Sequence, residues 1–242
     1  MIEIFPVDGL PEIGEGDDLG AMIAGAAELR QDDVVVVAQK AVSKVEGRIV
    51  QLDGVEPSAQ ARELAGAGTD LRQLEAILRE TVRVVRSREG LVIAETRHGF
   101  VCASAGVDHS NAAEPGTVIL LPVDPDASAR RIRSTLLERT GLRVAVIVTD
   151  SFGRPFRRGT TDVAIGVAGL TPLLDLRGPP DRAGLPLRTT QVALADEIAG
   201  AADLVRTTKA DGLPVVVVRG VPIGGDGAAT ELVIPADRDL FR

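Results

Sequence analysis

Two short segments carry side chains that could bind a metal ion and an anion. The segment at 106–111, GVDHSN, follows a strand-like run, and its Asp, Ser and Asn offer hard oxygen ligands beside a glycine. The same composition is typical of an Asx turn, so the spacing alone leaves both interpretations open. Asp108 is the candidate ligand in this segment.

The second segment, TDSFGRPFRRG at 149–159, follows a β-branched strand-like run. Asp150 and Ser151 place an acid and a hydroxyl at the strand end, which suits a divalent ion. A solvated basic loop is the alternative, but a strand end buried beside Asp150 would need a partner for that charge. The guanidinium groups that follow match an anionic ligand, and they belong to Arg154, Arg157 and Arg158.

The remaining reactive side chains are weaker candidates. Lys40 and Lys44 could converge on phosphates if their segment is a loop, although lysines are more often solvated. Cys102 lies in an apolar strand and is predicted to be an inert thiol. His98 and His109 are predicted not to bind metal, since two histidines alone cannot complete a zinc shell.

Composition excludes several classes of protein. The 242 residues are 45% hydrophobic and 26% charged, which predicts one domain over 1–242, with two closely packed subdomains as an alternative whose boundary is not readable. A single cysteine rules out an internal disulfide and suits the cytoplasm. The net charge of −8 argues against nucleic acid or an anionic membrane as a partner. Neither a membrane-length apolar run nor a signal-peptide pattern is present.

The elements that must position these residues alternate only in part. Spacing predicts helices near 18–30, 69–85, 125–140 and 189–205, with Asp124, Pro125 and Gly141 as start and stop signals for the third. Apolar runs predict strands at 34–38, 118–123, 143–150 and 214–218, a loop and strand over 39–50, and a hairpin from 91–96 and 100–106. The pattern predicts an α+β fold of mixed sheets with antiparallel hairpins and packed helices.

The order of motifs resembles one known family. The matching segments are FPVDGLPEI, KAVSKVEGR, GVDHSN, LLPVDPDASA, VTDSFGRPFRRGTTDVAIG, VALADEIAGAADLV and PVVVVRG, which together cover nearly the whole chain. They are similar to those of the coenzyme F420-0:L-glutamate ligase family, also called F420:gamma-glutamyl ligase. The resemblance implies an F420 ligase-like fold in its stand-alone form, a homodimer and a cytoplasmic location.

The resemblance also implies an activity. In that family GTP drives amide formation between a carboxylate of F420-0 and the α-amine of L-glutamate, and later cycles add γ-linked residues. An acyl phosphate is the expected intermediate, Mg or Mn the divalent ion, and K a further associated ion. Common nucleotide motifs such as G-x-x-x-x-G-K-[ST] are absent from the chain.

Site residues follow from the same resemblance. The implied metal ligands are Asp108, Asp150, Ser151 and Thr208, the last at a position commonly occupied by glutamine. The implied nucleotide contacts are Leu10, Pro11, Glu12, Ile13, Gln39, Lys40, Lys44, Asn111 and the stretch 206–213 with Arg206, Thr207 and Lys209. Gln39 stands where a Ser or Thr is common. We assign Arg154, Arg157 and Arg158 to the anionic groups of F420-0 on chemical grounds.

Two other functions remain open from the residues alone. A nucleotide-dependent ligase of the same fold could join a different acid and amine. A nucleotide- or anion-binding module without turnover is the alternative outside enzymes.

Overall fold

The computed structural model describes residues 1–109, 115–206 and 212–240. Within these ranges it contains six α-helices: α1 Leu19–Ala26, α2 Gln39–Val45, α3 Ala59–Leu64, α4 Leu71–Arg79, α5 Pro125–Thr140 and α6 Leu194–Asp203. The strands are β1 Glu3–Pro6, β2 Val34–Ala38, β3 Ile49–Gln51, β4 Thr81–Arg88, β5 Leu91–Thr96, β6 Val101–Ala103, β7 Thr117–Ile119, β8 Ala145–Gly153, β9 Thr160–Ala168, β10 Leu174–Asp175, β11 Gln191–Val192 and β12 Val215–Arg219.

A five-stranded sheet in the order β1-β12-β2-β8-β9 organises the molecule. Strands β2 and β8 are parallel, and the other neighbours in this sheet are antiparallel. The continuous valine run of β2 is buried because both faces of the sheet are covered. Its alternate valines enter two cores, one with α1 and α5 and the other with α6.

A second region contains the three-stranded sheet β4-β5-β6 and the pair β3-β7. Leu74 and Ile77 of α4 pack with Val92 of β5 and Val118 of β7 in a third core. The observed mixture of helices and antiparallel strands confirms the mixed α and β class, including the predicted hairpin of β5 and β6. No helix in the described ranges combines the length and the apolar character needed to cross a bilayer.

Helix α5 follows its sequence signals closely. The Asp124 carboxylate accepts a hydrogen bond of 2.8 Å from the amide of Ala127, and Pro125 occupies the first turn. Gly141 ends the helix with a φ of 71°, a left-handed conformation that costs glycine little. Local chemistry therefore determines both ends of this helix.

One predicted element was wrong in type, and one predicted helix was too long. The segment after β2 is not a loop but helix α2, whose Ala41 and Val42 pack into the core. The predicted helix over 69–85 ends at Arg79, because from Thr81 the chain forms strand β4 and pairs with β5. Val82, an apolar residue within the predicted helix, is 68% exposed.

Three boundaries also differ. Helix α1 is shorter than the predicted 18–30, and α6 is shorter than the predicted 189–205. The strand predicted over 118–123 is reduced to β7, ending at Ile119. Short strands β1, β10 and β11 were not predicted, since two to four residues carry little periodic signal.

Candidate active site

A cavity of about 650 Å³ opens where β2 and β8 end. Because these strands are parallel, their carboxyl ends lie at the same edge of the sheet. The cavity gathers eleven of the predicted site residues: Leu10, Pro11, Glu12, Ile13, Gln39, Lys40, Lys44, Asp108, Asp150, Ser151 and Arg206. It also includes Thr149, Asp162 and Asp203, which sequence reasoning did not select.

The three arginines chosen for F420-0 do not line this cavity. They lie in the exposed turn between β8 and β9, where an Arg154 Nη2 donates to the carbonyl oxygen of Arg158 at 2.9 Å. Gly153 and Thr160, at the two ends of that turn, do line the cavity. Four predicted residues fall outside the described part of the chain: Asn111, Thr207, Thr208 and Lys209.

Helix α2 directs both predicted lysines toward the cavity. Lys40 and Lys44 are four residues apart and share one face of the helix. Lys40 Nζ lies 2.7 Å from Asp108 Oδ2, and Lys44 Nζ lies 3.4 Å from Glu12 Oε1. Convergence of the lysines therefore arises from helical spacing and not from the loop that was expected.

Asp150 carries the most strongly shifted carboxyl group of the site. The pKa of Asp150 is raised to about 7, chiefly by burial. The charges of Asp162 and Asp108 contribute to the rise, and the backbone amide of Ser151 and the charge of Lys40 oppose it. A cation beside this carboxylate would offset the cost of keeping it charged. The position is thus suited to a metal ion or another positive group.

Asp162 is the main residue of the candidate site that sequence reasoning missed. It lies on β9 opposite Ser151 and is 5% exposed. Its Oδ1 accepts from the Ser151 hydroxyl at 2.6 Å, and its Oδ2 accepts from the Thr149 hydroxyl and an Arg206 Nη1, each at 3.0 Å. A carboxylate inside the run TTDVAIGVA was the available signal, but its partners depend on the β8–β9 register.

Arg206 is turned inward toward the sheet. Its Nη2 donates to the carbonyl oxygen of Val36 at 2.9 Å and lies 3.4 Å from that of Pro214. Burial lowers the pKa of its guanidinium, while the charge of Asp162 opposes that shift. These bonds anchor the beginning of the predicted nucleotide-binding stretch 206–213.

Gln39 has a buried amide group whose oxygen is hydrogen-bonded and whose nitrogen is not, within the described structure. The Ser43 hydroxyl donates to Gln39 Oε1 at 2.8 Å, which fixes the orientation of the amide. Gln39 Nε2 is buried and finds no hydrogen-bond partner in the described structure. Since an unpaired buried donor is costly, a ligand acceptor in the cavity is its natural partner.

The oxygen ligands of the site suit a hard cation that takes its remaining ligands from the substrate and from water. Across the described ranges, no group of three or more His, Cys, Asp or Glu side chains could hold a metal. Asp108, Asp150 and the Ser151 hydroxyl supply two carboxylates and a neutral oxygen. Mg²⁺ is commonly bound by one or two carboxylates together with substrate phosphates and water, so these residues fit such an ion.

Neither Cys102 nor His98 has the environment of a catalytic group. Burial raises the pKa of the Cys102 thiol to about 12, with a contribution from Asp150, which agrees with the predicted inert thiol. The His98 ring stacks on Phe100 and contacts the carbonyl oxygens of Pro122 and Val123. It serves packing at a distance from the cavity lining.

Comparisons with known proteins agree on one family. The F420-0:Gamma-glutamyl ligase family model matches residues 9–220. A coenzyme F420:L-glutamate ligase from Methanothermobacter thermautotrophicus is 44% identical, covering 100% of this chain and 99% of the relative. Proteins of the same name from Methanopyrus kandleri and Archaeoglobus fulgidus are 45% and 41% identical, again over 100% of this chain and over 98% and 96% of the relatives.

Proposed function

The chain belongs to the F420-0:gamma-glutamyl ligase family, and on that premise we propose that it ligates L-glutamate to coenzyme F420-0 with GTP as the co-substrate. The observation that carries the proposal is the cavity at the ends of β2 and β8. It collects residues from five separate parts of the chain that the family resemblance assigns to one site. We also propose the F420 ligase-like fold, because the chain belongs to this family.

The charge balance of the cavity supports a divalent co-factor. Its described lining contains the carboxylates of Glu12, Asp108, Asp150, Asp162 and Asp203 and the cationic groups of Lys40, Lys44 and Arg206. Two of these cations already face carboxylates at 3.0 Å or less. A triphosphate would therefore meet an acidic surface. Mg²⁺ or Mn²⁺, held by Asp108, Asp150 and Ser151 with Thr208 as a fourth proposed ligand, would neutralise that charge.

The proposed chemistry is transfer of the γ-phosphoryl group of GTP to a carboxylate oxygen of F420-0, which gives GDP and an acyl phosphate. The amine of L-glutamate then attacks the acyl carbon, phosphate leaves with its oxygen, and the ammonium proton passes to solvent. Lys44 acts on the phosphates as a point charge, and Gln39 donates to an acceptor of the nucleotide. The protein contributes positioning and charge neutralisation, with no covalent enzyme intermediate.

Binding of the acceptor is proposed for the exposed turn between β8 and β9. Arg154, Arg157 and Arg158 there can pair with the phosphodiester and carboxylates of F420-0. The nucleotide would also contact Asn111, Thr207 and Lys209. A homodimer, a cytoplasmic location and a K ion complete the proposal, each carried over from the family resemblance.

An assay with F420-0, GTP, L-glutamate and Mn²⁺, with product masses measured, tests the proposal. We expect F420-0 extended by glutamate, loss of product when ATP replaces GTP, and inactivity of Asp108→Ala and Asp150→Ala. A product with another acid or amine would favour a different ligase of this fold. Phosphate release that ignores both acceptor and glutamate would contradict ligation altogether.

Hydroxylamine tests the intermediate. If the carboxylate is phosphorylated first, hydroxylamine in place of glutamate should give a hydroxamate of F420-0 with GDP in equal amount. Asp150→Asn should suppress hydroxamate and amide formation together. A phosphorylated residue of the enzyme that passes its phosphate to F420-0 would contradict the acyl-phosphate path.

A further inference from the structure

The Ser151 hydroxyl donates a hydrogen bond to the buried carboxylate of Asp162. Asp162 Oδ1 lies 2.6 Å from Ser151 Oγ, and both oxygens of Asp162 are already engaged by protein donors. The carboxylate is 5% exposed, with a side-chain exposure of 6%. Asp162 therefore borders the cavity with each of its oxygens already accepting at least one hydrogen bond from the protein.

The direction of each proton in this cluster follows from donor and acceptor chemistry. Arg206 can only donate, so its Nη1 donates to Thr149 Oγ1 at 2.9 Å, and the Thr149 proton goes to Asp162. Asp162 is the acceptor of the bonds from Arg206 and Thr149, and the Ser151 hydroxyl likewise donates to its Oδ1. The oxygen lone pairs of Ser151 are thereby left for another partner.

A neutral hydroxyl can bind a cation only through such a lone pair. If its proton pointed into the cavity, the positive end of the O–H dipole would repel the ion. Outer carboxylates that fix the orientation of a metal ligand are a general feature of metal sites. Ser151 together with Asp162 has this arrangement, with Thr149 and Arg206 fixing the carboxylate from the other side.

We propose that Asp162 is the positioning residue of the cation site. It accepts the hydrogen bond of the Ser151 hydroxyl and so leaves the lone pairs of the Ser151 oxygen directed toward a divalent ion. This inference rests on the proposed function, because it assumes that Ser151 is a ligand. Arg206, through its bonds to Asp162 and Thr149, is a structural support of the cation site as well as the anchor of the stretch 206–213.

Asp162→Asn reverses the hydrogen bond to Ser151. Because Arg206 is a donor, the asparagine oxygen should face Arg206 and Thr149, which leaves the amide nitrogen to donate to Ser151. The Ser151 oxygen then accepts a hydrogen bond from the amide through one lone pair, and the Ser151 proton turns toward the cavity. We expect the Kd for Mn²⁺ to rise about 10- to 100-fold, the range found when such outer partners are removed.

The test is a double-mutant cycle read by Mn²⁺ binding alone, with the free ion followed by electron paramagnetic resonance. Ser151→Ala should raise the Kd by a similar factor, and Asp162→Asn should add less than threefold in the Ser151→Ala background. The matched control is Asp126→Asn, which alters another buried carboxylate, one that accepts hydrogen bonds from the backbone amides of Val167 and Ala229. This variant should leave the Kd for Mn²⁺ unchanged.

The outcomes separate this inference from the proposed function. If the wild type binds no Mn²⁺ either alone or with GTP present, the metal part of the proposed function fails and the inference fails with it. If Ser151→Ala weakens binding but Asp162→Asn does not, or if the two effects multiply, only the positioning role is overturned. Should Asp162→Asn not fold, Asp162→Ala with Arg206→Met removes both buried charges together with the acceptor of the Ser151 hydroxyl, and the Kd for Mn²⁺ is measured in the same way.

Discussion

Replacing Gln39 should separate ligand binding from folding stability. Gln39 is 1% exposed, lines the cavity and holds a buried Nε2 without a described partner. Its oxygen accepts from Ser43, which is itself fully buried. The perturbation is the pair Gln39→Met and Ser43→Ala, made singly and together. Methionine has a similar volume and no polar atom to leave unpaired.

The expected stability changes follow from those contacts. Gln39→Met removes an unpaired donor worth about 1–3 kcal/mol but leaves the Ser43 hydroxyl without its acceptor, at a comparable cost. The single variant should therefore change the free energy of unfolding by less than about 1 kcal/mol. The double variant removes both polar groups, so relative to Gln39→Met it should recover about 1–2 kcal/mol, less a small loss for the missing serine volume.

The affinity for GTP should fall in both variants that carry Gln39→Met, although the double variant recovers stability. A hydrogen bond from a buried amide to a ligand acceptor contributes about 0.5–1.5 kcal/mol, and leaving that acceptor unpaired in the bound state adds further cost. We expect the Kd for GTP to rise about 10- to 100-fold in both Gln39→Met variants. Urea unfolding and titration calorimetry measure the two quantities on the same samples.

Each half of the reasoning can fail separately. If the double variant binds GTP as tightly as the wild type, Gln39 Nε2 does not face the nucleotide. If Gln39→Met lowers the free energy of unfolding by more than about 3 kcal/mol, the amide has a structural partner and is not held for a ligand. Ser43→Ala alone keeps the Nε2 donor but loses the bond that orients it, so it should raise the Kd for GTP less than Gln39→Met does while lowering stability.

Three further predictions concern groups outside the proposed ligand contacts. Cys102 should react with a thiol reagent at pH 8 only on unfolding, since burial raises its pKa to about 12. Burial lowers the pKa of His98, so as the pH falls the unfolded chain binds a proton at this histidine before the folded chain does. The free energy of unfolding, measured with urea, should therefore fall less between pH 7 and pH 5 for His98→Gln than for the wild type. Arg219→Met should lower the free energy of unfolding by about 3 kcal/mol, because fully buried Asp33 loses its charged partner, whereas Arg83→Met at an exposed pair should cost less than about 1 kcal/mol.

The parts of the fold that the sequence predicted well are determined by residues close to one another along the chain. The capping carboxylate, first-turn proline and final glycine of α5 act within one turn of the helix ends, so their meaning does not depend on the rest of the chain. The β-branched runs of β2 and β12 are likewise strands in any buried setting. Helix α2 was missed because seven residues give fewer than two periods of the apolar pattern.

The candidate site was predictable only where a motif carried it. Asp108 and Asp150 stood at the ends of strand-like runs and were selected from their residue types alone. Gln39 was selected by resemblance, but its unpaired amide depends on Ser43 one helical turn later. Asp162 was missed because its role comes from pairing with Ser151 across a hairpin, and a shift of one residue in that register would point it to the other face of the sheet.

The sheet explains why the residues of the candidate site collect at one place. Among the described strands, β2 and β8 form the only parallel pair, and their pairing ends at Ala38 and Thr149. Strand β8 continues to Gly153 with β9 alone beside it, so its other edge faces the cavity at Asp150 and Ser151. Shortening β8 at this point would remove the two ligand candidates and the register that places Asp162 against Ser151. The extension of β8 beyond β2 is therefore the feature that builds the site.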